Sequence, residues 1–437
     1  MKGKLGVCLA IVLIGSLVLG TVVVSAQTVK RITVGLEAGF MSDGASLVAP
    51  DFEKAHPDIK VTVVPIPYTA FRQKVIQELS AGSGAYDIVG GYLELNASYI
   101  AAGWVIPLDK HVAESDIDTN DFIPSFYNLG TLFGRASQLN PAGDVYGLPF
   151  NGDVMMLIFR KDLYALNGLT PPGTWEEFVK NVTKLNQPKD DLYGMAVSGA
   201  RANDSHVMFD FYSFALNMDG TLPLGEGNKP QVYSPGNVRA LQLYVDLVNK
   251  YKVTPPGVRE YRYAEKNAAV AQGKATHMVQ WMLACAGELE DPDQSRVHGK
   301  VGYTTMPGGG SVVGGWSILI ADACKYPKEA FEFLKFLSID SDARISLAYG
   351  KGPVLKSSAQ DPEMIKKYPY IADYVKAATN GMHMCACSPA LPLWLEITDI
   401  LNFGFADAVF EGVPVEEALK HIDKKMAELL KEEGFLE

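Results

Sequence analysis

The sequence predicts an α/β protein built from mixed sheets flanked by helices. Three observations predict it. Short β-branched runs alternate with amphipathic helical runs, this alternation starts twice, and Gly- and Pro-rich stretches separate the two halves. The length of 437 residues suits two or three domains of roughly 150 residues each. Hydrophobic residues make up 48% and charged residues 20%, which excludes a disordered, collagenous or coiled-coil chain.

The first half justifies the class element by element. Residues 31–36 place β-branched side chains at alternate positions and read as a strand. Residues 47–56 read as a helix stopped by Pro57, and 59–66 as the next strand. Residues 71–81 form an amphipathic helical pattern ended by Gly82-Ser83-Gly84. Residues 87–91 read as a short buried strand and 93–102 as a helix closed by Gly103.

The alternation restarts after Asn140-Pro-Ala-Gly143. Residues 155–160 (MMLIFR) read as a strand. Thr174 followed by Glu177 is a capping box, so a helix starts there. Strands are expected at 192–198, 276–281 and 316–320. Helices are expected at 237–251, 264–273, 329–338, 392–403 and 415–431.

The N-terminus points outside the cytoplasm. Lys2 and Lys4 precede an apolar run from Leu5 to Val24, and Val24-Ser25-Ala26 places small residues before Gln27. This predicts a signal peptide over 1–26, with an uncleaved anchor as the alternative, since about 20 apolar residues can also span a bilayer. Cys8 sits too early for a lipoprotein cysteine. No later stretch is long and apolar enough for a second span. The expected location is periplasmic or secreted.

Acids outnumber bases by 50 to 39, for a net charge of -11, and no Lys/Arg cluster occurs. Nucleic acid and anionic membrane are therefore poor candidates for partners, and no nucleic-acid partner is expected. The five cysteines are too few for a disulfide-built scaffold. His383-x-Cys385-x-Cys387 departs from zinc-site spacing, so buried thiols or a disulfide are preferred to a metal. A bridge from Cys285 to Cys385 or Cys387 is one pairing considered, and Cys324 is the remaining cysteine of the exported chain. No cofactor and no metal are expected. The sequons at Asn96, Asn181 and Asn203 are given no function.

No H-E-x-x-H and no G-x-S-x-G occurs, and Gly308-Gly-Gly310 lacks the Lys-Ser/Thr of a phosphate loop. A glycosidase needs only two suitably separated carboxylates, so motif absence leaves that class open. The aromatic residues carry more. Trp281, Trp316 and Trp394 each fall at the end of an expected element beside small residues, Gly or Pro. Such a ring can offer its face to the C–H array of a sugar while acids and amides bind its hydroxyls. The alternative for each is core packing. Trp104 and Trp175 sit within apolar or helical patterns and are read as core.

Several stretches resemble, in order, the extracellular solute-binding proteins of carbohydrate ABC importers, a family that includes the maltose-binding protein. They are Gly103-Trp-Val-Ile-Pro-Leu-Asp109, Val145-Tyr-Gly-Leu-Pro-Phe150 with Leu157-Ile-Phe-Arg-Lys-Asp-Leu163, and Gly168-Leu-Thr-Pro-Pro-Gly-Thr-Trp-Glu-Glu-Phe178. Gly273-Lys-Ala-Thr-His-Met278 before Trp281, Gly314-Gly-Trp316 with 330–337 (AFEFLKFL), and Glu416-Glu-Ala-Leu419 follow. Phe159-Arg160 departs from the family's usual Tyr-Asn.

The resemblance implies a two-lobed periplasmic-binding-protein architecture, each lobe a mixed sheet flanked by helices, with a hinged ligand cleft between. The chain would cross near Pro149-Phe150, near 308–310 and around 358–362. The lobes would be 27–148 plus 314–360, and 149–313 plus 361–437. Carried over residue by residue, the family's ligand positions fall on Trp281, Trp316, Trp394, Phe40, Tyr92, Glu94, Asn151 and Asp153. Asp204, His206, Phe209 and Phe211 are weaker candidates.

The resulting expectation is a monomeric, non-enzymatic protein. It captures a sugar, oligosaccharide or polyol by lobe closure and delivers it to the membrane permease. A secreted glycoside hydrolase or lyase is the rival, and an adhesion or sensory protein the third reading. An anionic ligand would need cations in the cleft, for which Arg201, Arg259 and Arg262 are available in sequence.

Overall fold

The structure is a computed structural model and describes residues 29–130, 144–201, 206–350, 352–381 and 391–436. The leader, Asp204, His383, Cys385 and Cys387 lie outside the described residues, as do the partners considered for Cys285. Seven strands form one continuous curled arrangement: β1 (Lys30–Glu37), β2 (Ile59–Ile66), β3 (Ile88–Gly91), β4 (Gly147–Arg160), β5 (His277–Trp281), β6 (Val301–Thr304) and β7 (Val313–Ile320). The order is β2-β1-β3-β7-β4-β5, with β6 added on β4.

β1 alternates as its sequence requires, burying Ile32, Val34 and Leu36 completely. It pairs in parallel with β2 from Lys30↔Ile59 to Glu37↔Ile66, and in parallel with β3. Parallel neighbours need a crossover, supplied by the helices Phe40–Ala55 and Tyr68–Ser80. The carboxyl ends of β1, β2 and β3 therefore meet at one edge of the sheet, and a helix starts just beyond each.

β4 joins the two halves. From Gly147 to Val154 it pairs antiparallel with β7, with a bulge between Pro149 and Asn151. From Met155 to Arg160 it pairs antiparallel with β5 and β6. The sequence predicted only its second half, because Asn151-Gly-Asp153 has no apolar alternation. Sheet pairing with β7 overrides that local weakness. Gly152 is required here, since a Cβ would lie 2.2 Å from Phe126 Cε2. Gly315, opposite it on β7, has φ 134, a conformation L-residues rarely adopt.

Other expectations shift at their edges. The first helix begins at Phe40 rather than residue 47 and carries Pro50 inside it. Residues 192–198 form only isolated bridges: Leu192↔Gln187, antiparallel, and Tyr193↔Ala275 and Ala196↔Met278, parallel, beside β5. The capping box holds: Thr174 Oγ1 accepts from Glu177 N–H (3.2 Å), and Glu177 accepts from Thr174 N–H (3.2 Å).

One face of the β1–β3 sheet is buried under Val48, Phe52, Phe331, Phe333 and Leu337. Its other face carries Phe71, Val75, Tyr99 and Phe126. That core continues without a break into the second half, through Val207, Phe211, Tyr244 and Phe405. Among the described residues, no helix is long and apolar enough to cross a membrane.

Candidate functional site

The sheet edge at the carboxyl ends of β1, β2 and β3 is where open α/β sheets receive ligands. Glu37 ends β1, Phe40 opens the next helix, Tyr68 opens the helix after β2, and Tyr92 precedes the Leu93–Ala101 helix after β3. Trp316 on β7 completes this first wall, one residue before Ser317, the partner of Gly91. Its ring stands edge-on to Phe71 (5.0 Å, 83°) and to Tyr92 (5.2 Å, 82°).

Asn151 and Asp153 reach the same region through β4. Antiparallel partners share a face, so Asn151 lies on the Trp316 side and Asp153 on the Gly314 side of one surface. Gly314 has no side chain, and the space is taken by Trp281: a Cβ there would stand 2.8 Å from Trp281 Cη2. The pairs Asn151–Trp316 and Asp153–Trp281 thus line one strip across the junction of the two halves.

Trp281 belongs to the second wall. It ends β5 and precedes the Met282–Glu290 helix. Phe209 meets it edge-on at 5.0 Å, His206 meets Phe209 at 5.4 Å, and His206 stacks on Tyr263 at 5.2 Å and 18°. Tyr263 in turn meets Tyr68 of the first wall at 6.2 Å. An aromatic series therefore runs along the second wall and touches the first at its end.

The polar groups of the site are mostly acidic or uncharged. Asn151 is 1% exposed, and its Oδ1 has no hydrogen-bond partner among the described residues. A buried acceptor left in that state costs about 1–3 kcal/mol, so it marks a place for water or ligand. Asp153 Oδ1 accepts from the N–H groups of Val154 (2.9 Å) and Leu283 (3.1 Å). Burial pushes its carboxyl up to about 8, and those N–H groups pull against the shift. Burial also raises Glu37 to about 7. His206 is held down to about 3, first by burial and then by the Lys266 ammonium, so it stays neutral.

The expected residues divide on inspection. Phe40, Tyr92, Glu94, Asn151, Asp153, Trp281 and Trp316 gather on the two walls, with Glu94 buried in the first turn of its helix. Trp394 does not join them: it is 1% exposed and sits in the larger core. Its local sequence matches a cleft-facing start, but tertiary packing covers it. Phe211 is likewise core, 4.1 Å from Phe405. Arg201 pairs with Asp407 (2.7 Å) and Arg259 with Glu411, so both cations are committed to exposed surface pairs. Trp175 packs edge-on to Phe214, and its Nε1 donates to Asn217 O (3.2 Å). Sequence reasoning missed Glu37, Tyr68 and Tyr263. A carboxylate at the end of β1 was a usable signal for Glu37, whereas the two tyrosines sit at unmarked helix starts.

Two α/β halves joined by a shared strand, with facing aromatic walls at strand ends and helix starts, define a two-lobed binding protein. The chain belongs to the bacterial extracellular solute-binding protein family, whose pattern matches residues 41–339. It is 25% identical over 354 residues to a probable amino-acid ABC transporter periplasmic-binding protein of Sinorhizobium fredii, covering 78% of this chain and 76% of that one. Its fold matches an ABC transporter solute-binding protein of Agrobacterium radiobacter in complex with ribitol. That match has a TM-score of 0.76, 25% identity, and covers 92% of this chain and 98% of the other. It also matches a maltose-bound binding protein of T. maritima, with a TM-score of 0.77, 26% identity, and coverage of 92% and 100%.

Proposed function

We propose that the chain is the substrate-binding component of a carbohydrate ABC importer. It is exported by its leader, acts as a monomer, captures a sugar, oligosaccharide or polyol, and presents it to the permease. The observation that carries this reading is the strip Asn151–Trp316 and Asp153–Trp281 at the lobe junction. It sets two aromatic rings beside an open amide acceptor and a carboxyl. Ring faces bury the C–H groups of a polyol, and the amide and acids take its hydroxyls. Arg201 and Arg259 are tied up in surface pairs and are not free for a ligand. The ribitol-bound and maltose-bound relatives support the same class, while the name of the Sinorhizobium relative makes amino acids the competing ligand.

The lobes proposed are 27–148 plus 314–360, and 149–313 plus 361–437. The change of partners within β4 at Val154–Met155 supports a first crossing in that strand. Closure of the lobes would bring the two walls together around the ligand.

The test is a thermal-shift screen of residues 27–437 against ribitol, D-mannitol, maltose and a panel of amino acids. A ligand at about 100 times its dissociation constant stabilises the folded state by about 2.7 kcal/mol. A shift with a sugar or polyol, and unchanged ligand recovered afterwards, is expected. A shift only with amino acids overturns the carbohydrate reading, and product formation overturns the binding-protein reading.

A further inference from the structure

Behind the second wall lies a fully buried ion pair. Lys266 is 0% exposed, and its Nζ donates to Asp210 Oδ1 (2.7 Å), Val279 O (2.6 Å) and Ser198 Oγ (3.2 Å). An ammonium has three protons, so all are used. Asp210 Oδ2 accepts from Ser198 N–H (2.8 Å) and lies 3.4 Å from the Tyr244 hydroxyl, whose one proton goes to Ser198 O (2.6 Å).

The partners occupy the three elements that carry the wall. Asp210 is one residue from Phe209 on the Val207–Ala215 helix, and Lys266 is three residues from Tyr263 on the Tyr263–Ala271 helix. Val279 is two residues before Trp281 on β5. A neighbouring amide pair extends the link. Gln280 Nε2 donates to Asn267 Oδ1 (2.8 Å) and Tyr263 O (3.3 Å), and Gln280 Oε1 accepts from Trp281 N–H (3.0 Å). Asn267 Nδ2 donates to Ala284 O (2.6 Å) in the helix after Trp281.

We propose that the Lys266–Asp210 pair, with Gln280 and Asn267, positions Phe209, Tyr263 and Trp281, so that it sets ligand affinity rather than fold stability. The physical ground is the balance of terms in a buried pair. Desolvation of two ions offsets most of their attraction, so replacing both by apolar side chains is often neutral or stabilising. What apolar replacements cannot reproduce is direction: three fixed donors from one ammonium hold a second helix through Asp210, a strand end through Val279 and the 192–198 segment through Ser198 at set distances from the start of Lys266's own helix. Stacking rings tolerate little displacement, so the wall needs that direction more than the core does. This assignment rests on the carbohydrate-binding reading for its effect on affinity, but not for its effect on geometry.

The test is the double variant Asp210→Leu with Lys266→Met in the mature chain. Three readouts are compared with wild type: thermal midpoint, affinity for ribitol, D-mannitol and maltose, and a crystal structure. The midpoint is expected to stay within a few degrees, affinity to fall at least tenfold, and the Trp281 and Tyr263 rings to shift. A double variant that keeps wild-type affinity, or whose wall superposes on wild type, overturns the proposal. If wild type binds none of the three, the ligand reading has failed, and ring positions in the two crystal structures still decide the positioning role. Should the double variant not fold, Asp210→Asn keeps the shape but leaves one acceptor oxygen for two donors, so its NH2 group must face either Ser198 N–H or the Lys266 ammonium. At least a threefold loss of affinity is expected there, and an unchanged affinity overturns the proposal.

Discussion

The two walls of the candidate site are built by different physics. In the first, Trp316 lies on a strand and is braced by Phe71 and Tyr92, with the apolar core directly behind it. In the second, Phe209, His206, Tyr263 and Trp281 stand at helix starts and a strand end, backed by the buried Lys266–Asp210 pair. Dispersion and burial hold the first wall, and they vary smoothly with small shifts. Directed hydrogen bonds to a charge hold the second, and they fail abruptly when one partner is lost. Rigidity of the first wall comes with the fold, while that of the second depends on a few polar atoms.

The largest test of this contrast is Lys266→Met alone. It leaves Asp210 charged and buried without its cation, and a loss of about 3–5 kcal/mol is expected in denaturant unfolding. A loss under about 1 kcal/mol would remove the distinction between the walls.

Next come the tryptophans. Trp316→Ala takes the ring from a braced position, so about 3 kcal/mol of stability should go along with ligand affinity. Trp281→Ala removes a ring packed on one side by Phe209 and on the other by the Gly314 backbone. There, affinity should fall by more than stability, read by calorimetric titration beside thermal melts. Equal stability losses would mean that both rings are core.

Gly314→Ala probes the contact between the walls. Its Cβ would stand 2.8 Å from Trp281 Cη2, so the ring must move at a cost of about 1–3 kcal/mol. A several-fold loss of affinity and altered tryptophan emission are expected. Wild-type emission and affinity would show that the ring moves without consequence.

The smallest effect is in pH dependence. Asp153 and Glu37 have folded pKa values near 8 and 7, above the usual carboxylate value near 4. The folded state therefore binds extra protons between about pH 4 and 8. Their contribution is complete below pH 4 and lost as pH rises through 8. His206 and His277 are depressed to about 3 and 4, each chiefly by burial, so their contribution is present above about 6.5 and lost as pH falls. The two effects oppose each other at mildly acid pH, and the carboxyls act alone above it. Stability should fall from pH 6.5 to 8 by no more than about 1.4 kcal/mol per unit per group. Asp153→Asn should flatten that slope in pH-resolved melts, and an unchanged slope would mean the carboxyl does not titrate there.

The legible parts of the molecule were those set by near neighbours in sequence. The alternation in β1, the amphipathic helix after β2 and the Thr174–Glu177 capping box each depend on residues within a few positions, and each formed. The first half of β4 was not legible, because Asn151-Gly-Asp153 becomes strand only through pairing with β7, more than 150 residues away. Trp281 and Trp394 show the limit for the site. Both mark the start of a helix beside small or turn-forming residues, and nothing local separates them. One borders the junction over Gly314 and the other is covered by core.

By itself, the sequence determined the class of fold, most of its elements and the kind of side chain available for a polyol. Period, capping and composition act over one or two turns of chain, and that range is enough for them. Tertiary structure alone decided which tryptophan is covered by core, which arginines are spent on surface pairs, and that a lysine and an aspartate stand buried behind the second wall. Those outcomes depend on which distant segments share a space. Burial, desolvation and hydrogen-bond direction are properties of that shared space and of no single stretch of chain.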